Sequence, residues 1–168
     1  MPLEPVFDSG GGQQPSRRDW NVYKNILVPT DGSKLSNKAV LGAVQLAKAT
    51  GAKLVALHVY PKFSGSPYGT FGPPEDVIAE AHASQHKAEA QKIFEGIRML
   101  ARTYGIGLDT VLVESDNVHK EIIAVARKRK CDLVCMASHG RRGLSGLVLG
   151  SETQKVLTHS STPVLVLR

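Results

Sequence analysis

The chain has 168 residues, 42% of them hydrophobic, and a net charge of +6. That is enough for one domain with a substantial core and too little for two. No apolar run approaches the ~20 residues of a membrane helix, and no basic start followed by an apolar core marks a secretory signal. The expectation is a cytoplasmic protein. The sharpest basic cluster, Arg127-Lys128-Arg129-Lys130, falls at the end of a predicted helix, where cations complement the negative helix terminus. With neither an aromatic stacking platform nor a recognised binding motif beside it, nucleic acid is not an expected partner.

Residues 1–20 carry prolines and the run Gly10-Gly11-Gly12-Gln13-Gln14 without a periodic apolar face, and read as a flexible extension in which Trp20 is the one anchor. The remainder, 21–168, reads as one domain. Asn25 to Val28 is a short buried strand ended by Pro29-Thr30-Asp31-Gly32-Ser33. A helix follows with Leu35, Ala39, Ala43, Leu46 and Ala47 on one face and Gly51 as its stop. Lys53 to Tyr60 is the second strand, followed by a Gly/Pro-rich connection over 61–74 that is too long to be a simple turn. Glu75 to Tyr104 reads as a helix, alanine-rich and weakly amphipathic in its middle, with Gly105 ending it.

Thr110 to Glu114 is the third strand, and Asn117 is placed to cap a helix carrying Ile122, Ile123 and Ala126. Asp132 to Ala137 is the fourth strand, Ser151 to Ser160 the last helix, and Pro163 to Leu167 the fifth strand. Strands alternating with helices predict an α/β fold, a single doubly wound, Rossmann-like domain with a five-stranded parallel sheet and helices on both faces. Cys131 and Cys135 are four apart. At strand rise that is about 13 Å, beyond disulfide reach, so they read as buried thiols.

In doubly wound sheets ligands bind beyond the carboxyl ends of the strands, where strand order reverses. Two strand ends carry turn-forming polar chemistry: Pro29-Thr30-Asp31 after the first, and Met136-Ala137-Ser138-His139-Gly140 at the end of the fourth. Gly150-Ser151 then opens the last helix. Unpaired N–H groups at a helix N-terminus, at the positive end of its dipole, attract anions. If the first and fourth strands are neighbours, both clusters face one crevice, and the expected ligand is a nucleotide. The plainer reading makes Gly140 and Gly150 turn residues, Ser151 an N-cap and Asp31 part of an ordinary Asp-Gly-Ser turn; those jobs are compatible with phosphate binding.

These residues resemble the universal stress protein family in its ATP-binding branch. The resemblance covers roughly Asn21 to Arg168 and rests on NILVPTDGS, LVALHV, the glycine loop and the closing STPVLVLR. The family's loop, Gly-x2-Gly-x9-Gly-Ser/Thr, is here Ala137-x2-Gly140-x9-Gly150-Ser151, with alanine at the first glycine. Alanine is costly there only if the position needs positive φ. The resemblance implies that Asp31 contacts the adenosine end of the nucleotide and that Val59 lines the adenine pocket. It places Met136 and Ala137 beside the adenosine. Gly140, Arg141, Gly150 and Ser151 would wrap the phosphates, and Glu152 and Thr153 continue that loop into the helix. It further implies ATP as ligand, with Mg2+ or Mn2+ held through phosphates and water. The implied protein is a binding and signalling module, a nucleotide-dependent sensor or adaptor for a protein partner, that forms a homodimer through the last strand, 163–167.

His139 lies in the loop where it would contact ligand or pack the loop, since no second catalytic group is fixed beside it. His82 and His86, with Glu89 nearby, share a helical face at a spacing open to metal ligands; because the glutamate does not match a zinc protease motif, a solvated surface is the favoured reading. Gly143-Leu144-Ser145-Gly146 is no nucleophile elbow, and no Gly-Lys-Ser/Thr signature of a P-loop is present. With no dedicated water-activating base or transition-state arginine, slow ATP hydrolysis is the most the sequence supports. Two alternatives stand beside the adaptor. One is an ATP-consuming enzyme of the related adenine-binding α/β type; the other is a structural dimer module that has lost its nucleotide, for which Ala137 is the only support.

Overall fold

The computed structural model describes residues 22–65, 73–140 and 149–168. The expected extension at 1–20, the middle of the 61–74 connection, Arg141 and the 143–146 segment lie outside the described residues. Five parallel strands, β1 (Asn25–Pro29), β2 (Lys53–Tyr60), β3 (Leu108–Glu114), β4 (Leu133–Ala137) and β5 (Val164–Leu167), make one sheet in the order β3-β2-β1-β4-β5. The connections carry α1 (Lys34–Thr50), α2 (Glu75–Tyr104), α3 (Val118–Lys128) and α4 (Ser151–His159). This is the expected doubly wound architecture.

Strand alternation divides the core. Ile26 and Val28, Leu54 and Ala56, and Leu133 and Cys135 face α1 and α2, where Val40, Ala43, Val44, Phe94 and Ile97 meet them. The intervening Leu27, Val55, Leu57, Val134 and Met136 face Ile122, Val125 and Ala126 of α3 and Val156 of α4. Both faces of β1, β2 and β4 are therefore buried, which is why their sequences are continuous apolar runs. Burial pushes the thiols of Cys131 and Cys135 up to about 11 and about 12 respectively, so both free cysteines stay neutral.

The helix boundaries follow local chemistry. Ser33 caps α1 by accepting the Ser36 N–H, and Gly51 ends it in the left-handed region at φ 73°; Gly105 closes α2 in the same way. Three expectations need adjustment. β1 runs one residue further, through Pro29, which stands in register with Leu57, and the ladder continues past it because the next N–H, of Thr30, bonds to the Leu57 carbonyl. β3 begins at Leu108 rather than Thr110, since β2 offers it a partner from Leu54 onward. Asn117 stands at the N-cap of α3 but its side chain makes no cap bond; a carboxylate from another helix does that work.

The basic run divides into structural roles. Arg127 and Lys128 occupy the last turn of α3, and Arg129 pairs with Asp109 at 3.8 Å. Lys130 takes a left-handed φ of 51°. Its N–H bonds to the Arg127 carbonyl while the Cys131 N–H reaches Ala126, the paired bonds of a Schellman ending.

Candidate functional site

β1 pairs with β2 on one side and β4 on the other. Chain direction across the sheet reverses between β1 and β4, so their carboxyl ends open on the crevice where doubly wound folds take ligands. The condition set by the sequence is met: Pro29-Thr30-Asp31 and Ala137-Ser138-His139-Gly140 lie side by side.

The β1 end is held firmly. Buried Thr30 donates its hydroxyl to Ser36 Oγ at 3.1 Å, and its own Oγ1 accepts the Gly32 N–H. Its carbonyl lies 2.8 Å from Nδ1 of buried His58; a carbonyl can only accept, so that nitrogen carries the proton. Asp31 Oδ1 accepts the Ser33 N–H at 3.0 Å in an Asx turn. Its Oδ2 lies against Gly140: a Cβ built there would stand 2.8 Å from it. Asp31 and Gly140, distant in sequence, are thus brought into contact, and the bare α-carbon is what permits it.

The β4 end is closed by Ser138, which is 2% exposed. Its N–H bonds to the Leu167 carbonyl, and its own carbonyl accepts the Gly150 N–H at 2.8 Å, joining the two ends of the glycine loop. Gly150 is the N-cap of α4, so Ser151 is the first helical residue rather than the cap. A Cβ on Gly150 would meet Ser138 O at 3.2 Å and His139 Cα at 3.3 Å. Close approach crowds both loop glycines, Gly140 against a side-chain tip and Gly150 against backbone. Ala137 sits inside β4 paired with Leu167 and is not among the left-handed residues, so its methyl group carries no backbone strain. Met136 and Ala137 are buried at the β4 end. Val59 is half-buried near the end of β2, packed on the α3 side, and His139 Nδ1 lies 3.1 Å from Ser138 Oγ.

Two predicted residues act first as ties. Thr153 donates its hydroxyl to the Ala137 carbonyl at 3.0 Å, fastening α4 to β4. Glu152 Oε2 accepts the His119 N–H at 2.8 Å and lies 3.1 Å from His119 Nδ1, while Oε1 takes the Lys155 ammonium at 2.7 Å. Glu152 therefore caps α3 in place of Asn117. Burial pushes its carboxyl up, but the bonds from Lys155 and His119 outweigh that and hold it below the ordinary value. With its charge met by those groups, an acid in the first turn of α4 does not oppose an anion at the same terminus. The side chains of Glu152 and Thr153 are engaged; it is the backbone N–H groups of this turn that lack intrahelical acceptors. Sequence alone gives Ser138, His58 and His119 no role, since a lone serine or histidine announces no partner in the chain.

His82 and His86 are half-buried rather than on the solvated face expected of them. Among the described residues no group of three or more His, Cys, Asp or Glu side chains is placed to hold a metal ion, and no helix is long and apolar enough to cross a membrane.

The universal stress protein family model matches residues 22–168. Universal stress protein MJ0531 of Methanocaldococcus jannaschii is 32% identical over 152 residues, covering 90% of this chain and 86% of the relative. The universal stress protein UspA from Lactobacillus plantarum superposes with a TM-score of 0.75 at 26% identity, over 87% of this chain and 98% of that one. A universal stress protein solved in complex with cAMP shares the fold at a TM-score of 0.63 and 24% identity, over 87% and 97% of the two chains. The chain belongs to the universal stress protein family.

Proposed function

We propose that the crevice between the ends of β1 and β4 binds an adenine nucleotide, ATP, and that the protein is a nucleotide-dependent sensor or adaptor. The observation that carries this reading is the approach of Asp31 to Gly140 at the switch point, with Gly150 and the first turn of α4 pinned beside them. Pro29, Thr30, Asp31, Val59, Met136 and Ala137 would hold the adenosine half, with the Asp31 carboxylate accepting hydrogen bonds from ribose or base. His139, Gly140, Arg141, Gly150 and Ser151 would wrap the phosphates, assisted by the N–H groups of Glu152 and Thr153 at the positive end of α4. Phosphate oxygens and water would supply the coordination of Mg2+ or Mn2+. A ligand bridging three segments gives partner proteins a surface that differs between loaded and empty states. The exposed apolar strand β5 is the surface through which two copies pair, and a cytoplasmic location supplies the nucleotide.

The test is to denature freshly purified protein and identify the released nucleotide by chromatography and mass, then to measure ATP, AMP and cAMP binding to the emptied protein. ATP near one per chain, lost in Gly150→Asp while the fold persists by circular dichroism, is the expected result. Failure of all three nucleotides to bind the emptied protein overturns the reading.

A further inference from the structure

The first half of the long helix α2 contributes no fully buried residue to the core. The helix's 30 residues span about 45 Å, whereas the eight residues of β2 span about 27 Å. Its buried positions, Ala90, Phe94, Ile97 and Ala101, all lie in the later part, so the first turns overhang the carboxyl rim of the sheet. On that overhang stand His82 and His86, one helical turn apart, with their Nε2 atoms 3.2 Å from each other.

Both rings are oriented by neighbours. Tyr60 stacks on His86 with centroids 5.1 Å apart and 18° between planes, and Phe63 lies 5.8 Å from His82. The carboxylate of Glu89 lies 3.8 Å from His86 Nδ1, which favours the proton on that nitrogen and leaves the Nε2 lone pair for the shared point. His82 Nδ1 is buried and has no hydrogen-bond partner, so the ring's polar contact is made at Nε2. Two nitrogens bound at 2.0–2.1 Å to one tetrahedral ion stand about 3.3–3.4 Å apart, close to the spacing already present.

We infer that His82 and His86 form a two-imidazole chelate for a borderline divalent transition ion, with Zn2+ as its prototype and water completing the shell. With no ion bound, His82 Nε2–H donates to the His86 Nε2 lone pair; when a cation binds, the His82 proton moves by way of solvent to Nδ1, so that both imidazoles stay neutral and each gives its Nε2 lone pair to the ion. Imidazole donors select Zn2+, Ni2+ or Cu2+ over Mg2+ and Ca2+, so this ion is distinct from one carried by nucleotide phosphates. The inference does not rest on nucleotide binding.

Calorimetric titration of untagged, nucleotide-free full chain with ZnCl2 tests it. One ion per chain is expected, weakened by about tenfold or more in His82→Gln and in His86→Gln and unchanged in His159→Gln, which alters the other histidine pair, His119 and His159. In the unaltered protein, Zn2+ should shift the ring-nitrogen resonances of both His82 and His86, a readout independent of any variant. Absence of Zn2+ binding, or binding that survives loss of both imidazoles and leaves those resonances unmoved, overturns the inference.

Discussion

At the scale of single residues, the two loop glycines differ in what an added methyl would strike. At Gly140 it meets the end of a side chain, Asp31 Oδ2 at 2.8 Å; at Gly150 it meets backbone, Ser138 O and His139 Cα. If the proposed nucleotide site is correct, Gly140→Ala should weaken nucleotide retention by turning Asp31 aside while leaving the melting temperature near that of the parent. Gly150→Ala should lower stability by about 1–3 kcal/mol, because backbone yields less readily than a side-chain tip; parallel melting and nucleotide-retention measurements on the two variants separate these outcomes. Lys130 presents the opposite case, an ordinary side chain where a left-handed φ of 51° favours glycine. Lys130→Gly should stabilise the protein by about 0.5–1 kcal/mol, read from urea midpoints at unchanged slope.

At the scale of elements, the junction of α3 and α4 depends on Glu152. Its folded-state carboxyl is held below the ordinary value, so its contribution is fully present above the unfolded value near pH 4.5 and is lost as pH falls through the folded one. Glu152→Gln should cost about 1 kcal/mol at pH 7 through the α3 cap and the Lys155 bond. The difference between variant and parent should narrow as pH falls below the unfolded value and close once it passes the lower folded one, and a gap that keeps its full size in acid melting curves would contradict this account. This tie also marks what sequence could and could not supply. Apolar runs such as Ile26 to Val28 and Leu133 to Met136, and stops such as Gly51 and Gly105, report local backbone preference and burial, and the elements were legible from them. The candidate crevice was legible as two polar strand ends. That Asp31 meets Gly140, that Ser138 receives Gly150, and that Glu152 rather than Asn117 caps α3 are pairings between distant segments, set by strand order and helix docking. Neither periodicity nor turn chemistry encodes them.

At the scale of the whole molecule, the two sheet edges are unlike. β3 carries Asp109, Thr110 and Glu114 along its length, with the Asp109–Arg129 pair beside it. β5 is Val-Leu-Val-Leu, and Leu165 is 38% exposed. Polar groups guard an edge against further pairing, while a bare apolar strand invites it. On the proposal that two copies pair through β5, Val166→Lys should shift the sedimentation profile toward monomer at low micromolar concentration. An unchanged profile would count against that pairing.

The bond from Gly150 N–H to the Ser138 carbonyl has a consequence for how such a chain diversifies. It makes the stretch between them an eyelet, fastened at its neck by main-chain atoms that every residue except proline supplies. Lengthening a closed loop twofold costs only about 0.6 kcal/mol. The eyelet can change in length and lettering while strand register and both cores stay as they are, so new ligand preferences can arise here without the fold being found again.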